Sequence, residues 1–129
     1  MDQAAREAFL RVPRTAVLST TGPGARIHAV PVWFLLADGE VRILTERGSQ
    51  KHRNVVREPR ASLCVDEREG SFPFVTVEGP VSVIDVITGA ERFALWAHYR
   101  GEEAARAMVD GGGHERMVML ILHPERWLG

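Results

Sequence analysis

Residues 45–54, TERGSQKHRN, gather a dense set of hydrogen-bond donors in one short stretch. Thr45 and Ser49 bring hydroxyls, Arg47 a two-pronged guanidinium, Lys51 an ammonium and Asn54 a carboxamide. Together these suit a phosphate or another oxyanion. Gly48 frees the backbone, and Ser49 is a favoured helix N-cap. A helix starting there points unpaired N–H groups and the positive end of its dipole at such an anion. It also places Lys51 in its first turn, with Asn54 three residues on along the same side. An ordinary capped helix with solvated cations has the same spacing, so two readings stand. The stretch is neither a GxxxxGKS/T loop nor a GxGxxG fingerprint.

Upstream, HAVPVWF (28–34) offers a different chemistry. Pro31 has no N–H and weakens regular ladder pairing, which leaves neighbouring amides free to meet a flat ligand. Trp33 and Phe34 can line an aromatic ring, or can serve as plain strand core. Other chemistry-bearing residues are sparse. The five histidines, His28, His52, His98, His114 and His123, form no HxH or HxxxH pair, so no metal site is expected. Cys64 is alone, which rules out an internal disulfide, and its place in ASLCV predicts a buried strand residue. Tyr99 and His28 are proton-donor types, but nothing pairs either with a partner, and both read as structural. No catalytic residue stands out.

These donors must be held by the elements around them. Residues 2–11 predict a short amphipathic helix with Ala4, Ala5, Ala8, Phe9 and Val12 near one face, stopped by Pro13. Strands follow at 15–21 and 26–36, separated by GPG, and Asp38-Gly39 marks a hairpin into a third strand at 40–46. That succession predicts an antiparallel meander in which the hairpin lays 28–34 beside 40–46. A helix at 49–58 ends before Pro59, and a strand at 60–66 alternates Ala61, Leu63 and Val65 with polar or small neighbours. A long strand at 72–86 carries Gly79-Pro80 in its middle, a signal for a bulge or bend. Residues 89–110 read as helical with a break near Gly101, GGG (111–113) is a stop, and 116–124 is an apolar strand expected to be buried on both faces.

At 129 residues the chain predicts one domain, 1–129, and its 45% hydrophobic and 26% charged residues are ordinary for a globular protein. Lys+Arg 16 against Asp+Glu 17 leaves a net charge of −1, unlike a general nucleic-acid binder. No apolar run reaches a membrane span and no signal-peptide core opens the sequence, so a cytoplasmic protein is expected. Several strands with short helical excursions predict a mainly β domain, a bent antiparallel barrel with helices at its margins.

AVPVWF, the DG hairpin, ILTERGSQKHRNVVREPRASLCVD and FVTVEGPVSV together resemble the split β-barrel superfamily of pyridoxamine 5′-phosphate oxidase. The likeness is nearest to its short branch of F420 (deazaflavin)-dependent oxidoreductases, with S-x-K-x-x-N followed by the P-R strand as its most specific part. The resemblance implies a split antiparallel β-barrel and a homodimer with the cofactor in a groove at the interface. It implies that Thr45, Arg47, Gly48, Ser49 and Lys51 hold the cofactor phosphate, with Asn54 bracing the helix or touching the ligand. It implies a tricyclic ring along Ala29, Val30, Pro31, Val32 and Trp33, approached by Phe72 and Phe74. The activity implied is hydride transfer from reduced F420 to an unsaturated or conjugated small molecule. An FMN reductase or oxidase, or a flavin- or F420-binding protein without turnover, is the alternative. Lys51, Arg53 and Arg57 favour the more acidic F420. Only Arg126 stands where pyridoxamine-phosphate oxidases carry a basic C-terminal segment, so that oxidation itself is not expected.

Overall fold

The computed structural model describes residues 1–67 and 73–129. Among the described residues, eight strands form an antiparallel β structure: β1 (Ala16–Thr21), β2 (Ile27–Val32), β3 (Leu35–Ala37), β4 (Glu40–Glu46), β5 (Arg60–Asp66), β6 (Phe74–Ile84), β7 (Met117–Leu122) and β8 (Arg126–Leu128). Their order across the sheet is β2-β1-β5-β6-β7-β4-β3, with β8 on the flank of β6. Helices α1 (Gln3–Arg11), α2 (Gln50–Arg57), α3 (Gly89–Arg100) and α4 (Glu102–Asp110) lie at the margins. This is the expected mainly β split barrel.

Alternation along the strands builds the core. Leu18, Ile43, Leu63, Val65, Val75, Val77, Leu120 and Leu122 all point inward and are essentially sealed from solvent. Strand β6 serves both halves of the barrel. Up to Pro80 it pairs with β5, and from Val81 it pairs with β7. The anticipated bend at Gly79-Pro80 falls at that change of partner. A side chain at Gly79 would collide with the His123 carbonyl, so only glycine lets the chain after β7 pass this close.

Four expectations are corrected. The predicted 26–36 strand is two strands at opposite ends of the sheet order. β2 pairs with β1 and β3 pairs with β4, and the chain crosses between them at Trp33 and Phe34. Strand-forming residues run straight through this segment, but pairing partners change, and the ladder stops where they do. The hairpin at Asp38-Gly39 does form, with both residues at positive φ. It joins β4 to β3, however, rather than to 28–32. In α1 the buried residue is Leu10, while Ala4, Ala5, Ala8 and Val12 face outward. Cys64 is exposed, because the parity that sends Leu63 and Val65 inward sends it out. Strand β7 comes close to the expected burial, with Met117 and Ile121 only partly covered. The short β8 extends beyond the elements anticipated.

Candidate functional site

The chain crossing at Trp33-Phe34 forces a local problem that a side chain solves. Phe34 is fully buried, yet it lies between strands and has no ladder partner. Its N–H donates to the Tyr99 hydroxyl at 3.0 Å. That hydroxyl in turn lies 2.8 Å from the Arg14 carbonyl and 3.1 Å from the Phe34 carbonyl, and donates its single proton to this pair. Burial raises the Tyr99 pKa above the usual phenol value, with the Phe34 amide opposing it. The Tyr99 ring stacks on Trp33, centroids 4.6 Å apart and planes 7° from parallel. Trp96, one turn earlier on α3, meets Trp33 edge-on at 5.4 Å. Helix α3 is thereby fastened across the end of β2.

The α2 terminus meets this aromatic wall. Ser49 caps α2 as expected: its Oγ accepts the His52 N–H. The same Oγ is 3.0 Å from the hydroxyl of Thr45, which is itself buried at the end of β4. Asn54 is 1% exposed; it donates to Thr20 Oγ1 on β1 at 3.0 Å and accepts from Gln50 at 2.7 Å. It therefore braces the helix against the barrel and so fixes where Lys51 stands.

Between these parts lies a cleft of about 550 Å³. Pro31, Val32 and Trp33 form one wall, Leu44, Thr45, Glu46 and Lys51 another, and Arg92, Leu95 and Trp96 of α3 a third. The two stretches singled out in the sequence do come together, by the barrel's curvature rather than through the hairpin. Desolvation by burial pulls the Lys51 pKa below the ordinary lysine value, against the opposing charge of Glu46. No carboxylate lies within ion-pair reach of Lys51 among the described residues.

Other sequence-predicted residues stand elsewhere. Arg47 is exposed and donates to the Asp85 carbonyl. Gly48, at φ 81°, gives its N–H to His52 Nδ1 at 2.9 Å. Ala29 is exposed on β2 and Val30 packs against the core; neither lines the cleft. Phe74 is exposed at the start of β6, and Phe72 lies outside the described residues. Arg53 donates to the Gly48 carbonyl and to Gln50, and Arg57 to the Thr21 carbonyl, so of the three cations on α2 only Lys51 faces the cleft. The α3 wall was missed as a set of residues. Its signal was the apolar run around Trp96 in a helix with Tyr99 in its last turn, which says that the helix packs but not on what.

The model of the pyridoxamine 5′-phosphate oxidase family matches residues 1–129. The chain belongs to that family. Its fold is shared with solved structures. The conserved hypothetical protein Rv2991 of Mycobacterium tuberculosis is 26% identical, with a TM-score of 0.83 over 98% of this chain and 82% of that one. A structure described as an F420 reductase is 21% identical, with a TM-score of 0.79 over 95% and 94% of the two chains. An FAD-binding protein from Mesorhizobium loti is 18% identical, with a TM-score of 0.74 over 98% and 92%. No curated protein matches the sequence. No helix among the described residues is long and apolar enough to cross a membrane.

Proposed function

We propose that this family member is an oxidoreductase that binds F420 in the cleft between α2 and α3. It passes hydride to an unsaturated or conjugated small molecule. The observation that carries the reading is Lys51: a half-buried ammonium that feels Glu46 but has no carboxylate within ion-pair reach among the described residues, facing a cleft with an aromatic wall. Such a cation is costly to desolvate unless an anion joins it. The Thr45–Ser49 hydroxyl pair and the amino end of α2 supply the remaining donors for a phosphate. A cleft of about 550 Å³ is within the usual range for a cofactor-sized ligand. Arg53 and Arg57 are exposed on α2 and add positive field rather than contacts, which favours the more anionic F420 over FMN.

When bound, F420 supplies the hydride chemistry. The protein's part is positioning. Lys51, Thr45 and Ser49 anchor the phosphate end, and Pro31–Trp33 support a ring. Pro31 also lies on the barrel's outer face, in a row with Val17, Cys64, Thr76 and Leu128 across five neighbouring strands. Most of that row is exposed in the single chain. A second copy of the chain seated on this face would bury it and bring the cleft to a subunit boundary.

The test is an equilibrium titration with F420 and with FMN in parallel, on wild type and Lys51→Ala. Tight F420 binding is expected, weaker by about tenfold or more in the variant, since a charge-assisted hydrogen bond is lost. Tighter FMN binding would move the protein to flavin chemistry. Binding of neither would remove the reading. Saturable binding without reduction of any acceptor would make the protein a carrier.

A further inference from the structure

The cleft has a second cation, and it belongs to a different wall. Arg92 sits on α3, half-buried, beside Leu95 and Trp96. Its Nη1 donates to the Gly112 carbonyl at 2.7 Å. Its Nε–H is sealed from solvent and has no acceptor, and no Asp or Glu lies within ion-pair distance among the described residues. A guanidinium presents five donors in a fixed fork, so one carbonyl leaves this one short of acceptors. The loop after α4 is shaped around it. Gly113 is at φ 101°, and a side chain there would press to 3.1 Å from Arg92 Nη1 and 2.8 Å from Arg116 Nη2. Of the two guanidiniums at this corner Arg116 is ion-paired with Glu115 at 3.5 Å, which leaves Arg92 as the one without an acidic partner among the described residues.

We infer that Arg92 selects the substrate by pairing with a carboxylate on a planar, conjugated acceptor lying against Trp33 and Trp96. The two cations then divide the cleft: Lys51 serves the cofactor's phosphate end and Arg92 the acceptor's anionic end. Planarity follows from the wall, where Trp33 is held flat by Tyr99 and flanked by the Trp96 edge. A carboxylate follows from the fixed positive charge and from the Nη donors beyond the one given to Gly112, the sealed Nε–H being out of a ligand's reach. This deepens the proposed function and rests on it only in calling the carboxylate's bearer a substrate. The anion seat itself does not require F420. A staple role, with Arg92 merely tying α3 to the glycine loop, uses one donor and predicts no ligand preference.

The experiment is isothermal titration of the full chain with trans-cinnamate and trans-cinnamamide, which differ in the carboxylate. Wild type, Lys51→Ala, Arg92→Met and Arg92→Lys are compared, with far-UV circular dichroism to check folding. Cinnamate is expected to bind wild type about tenfold more tightly than the amide. The preference should persist in Lys51→Ala, vanish in Arg92→Met and fall partway in Arg92→Lys, which keeps the charge but loses the fork. If Arg92→Met does not fold, the partial loss in Arg92→Lys decides. Equal binding of the two probes, no saturable heat from either, or a preference that follows Lys51 overturns the inference. The same variants are titrated with F420 and FMN. Failure there removes the cofactor reading while leaving the probe result standing.

Discussion

Tyr99→Phe removes one oxygen and leaves a ring that can still stack on Trp33, so it isolates the task of the hydroxyl. That oxygen accepts the N–H of fully buried Phe34 and donates to the Arg14 and Phe34 carbonyl pair. Nothing else in the crossing replaces the ladder. The variant loses one accepted and one donated bond and strands a buried amide, a loss of about 2 kcal/mol. For a domain of this size that corresponds to a melting temperature lower by roughly 8 °C. The assay is thermal and urea unfolding at matched protein concentration, because association would make both midpoints concentration-dependent. The urea midpoint should fall by about 1 M with an unchanged slope. Cofactor affinity should fall only modestly, as the stacked ring still holds Trp33. A variant melting within about 1 °C of wild type would refute the argument that the hydroxyl holds the crossing together.

Three further outcomes are expected. Gly79→Ala should leave little folded protein, since its methyl meets backbone rather than a movable side chain; circular dichroism of the purified variant measures this. Lys51 holds its proton less tightly when folded, so between its lowered value and the ordinary lysine value unfolding takes up a proton and stability rises with pH. Lys51→Met should therefore be at least as stable as wild type near neutrality, with the gap closing as pH climbs through that window; urea midpoints across the alkaline range test it. On the outer sheet face, Val17→Arg should convert the proposed dimer into monomers by sedimentation. Cys64, its cross-strand neighbour, should then react faster with a thiol reagent, whereas unchanged mass and reactivity would count against that interface.

Local signals were legible where local physics decides. The Ser49 cap, the Asp38-Gly39 turn, the stop at Pro59 and the alternation of 60–66 all produced the elements they predict. The Gly79-Pro80 pair marked a change of partner because a missing side chain and a missing donor have consequences wherever they fall. What stayed hidden depended on distant residues. Nothing between 26 and 36 says that the partner strand changes after Val32, since the residues favour strands throughout. Cys64 was misjudged from its residue type, although the parity of its own strand already pointed it outward. The Lys51 and Pro31–Trp33 stretches were singled out by residue type, local spacing and the family resemblance. That they share a cleft with Arg92 and Trp96 depends on curvature and helix packing, which periodicity does not encode.

The strand order carries a consequence for how the molecule is made. Hairpins β1–β2, β3–β4 and β5–β6 join neighbours in the chain, whereas β4 must wait for β7, with Val41 pairing to Leu122. Contacts of such long separation form slowly, after the local ones. A ribosome delivering this chain from its amino end would thus expose one edge of β4, with Thr45 at its tip, until residues 117–122 arrive. Met117, which borders the cleft, comes with β7. The cleft is consequently completed only once β7 has been made, and a nascent chain halted before β7 carries Lys51 on a helix with no finished cleft to face.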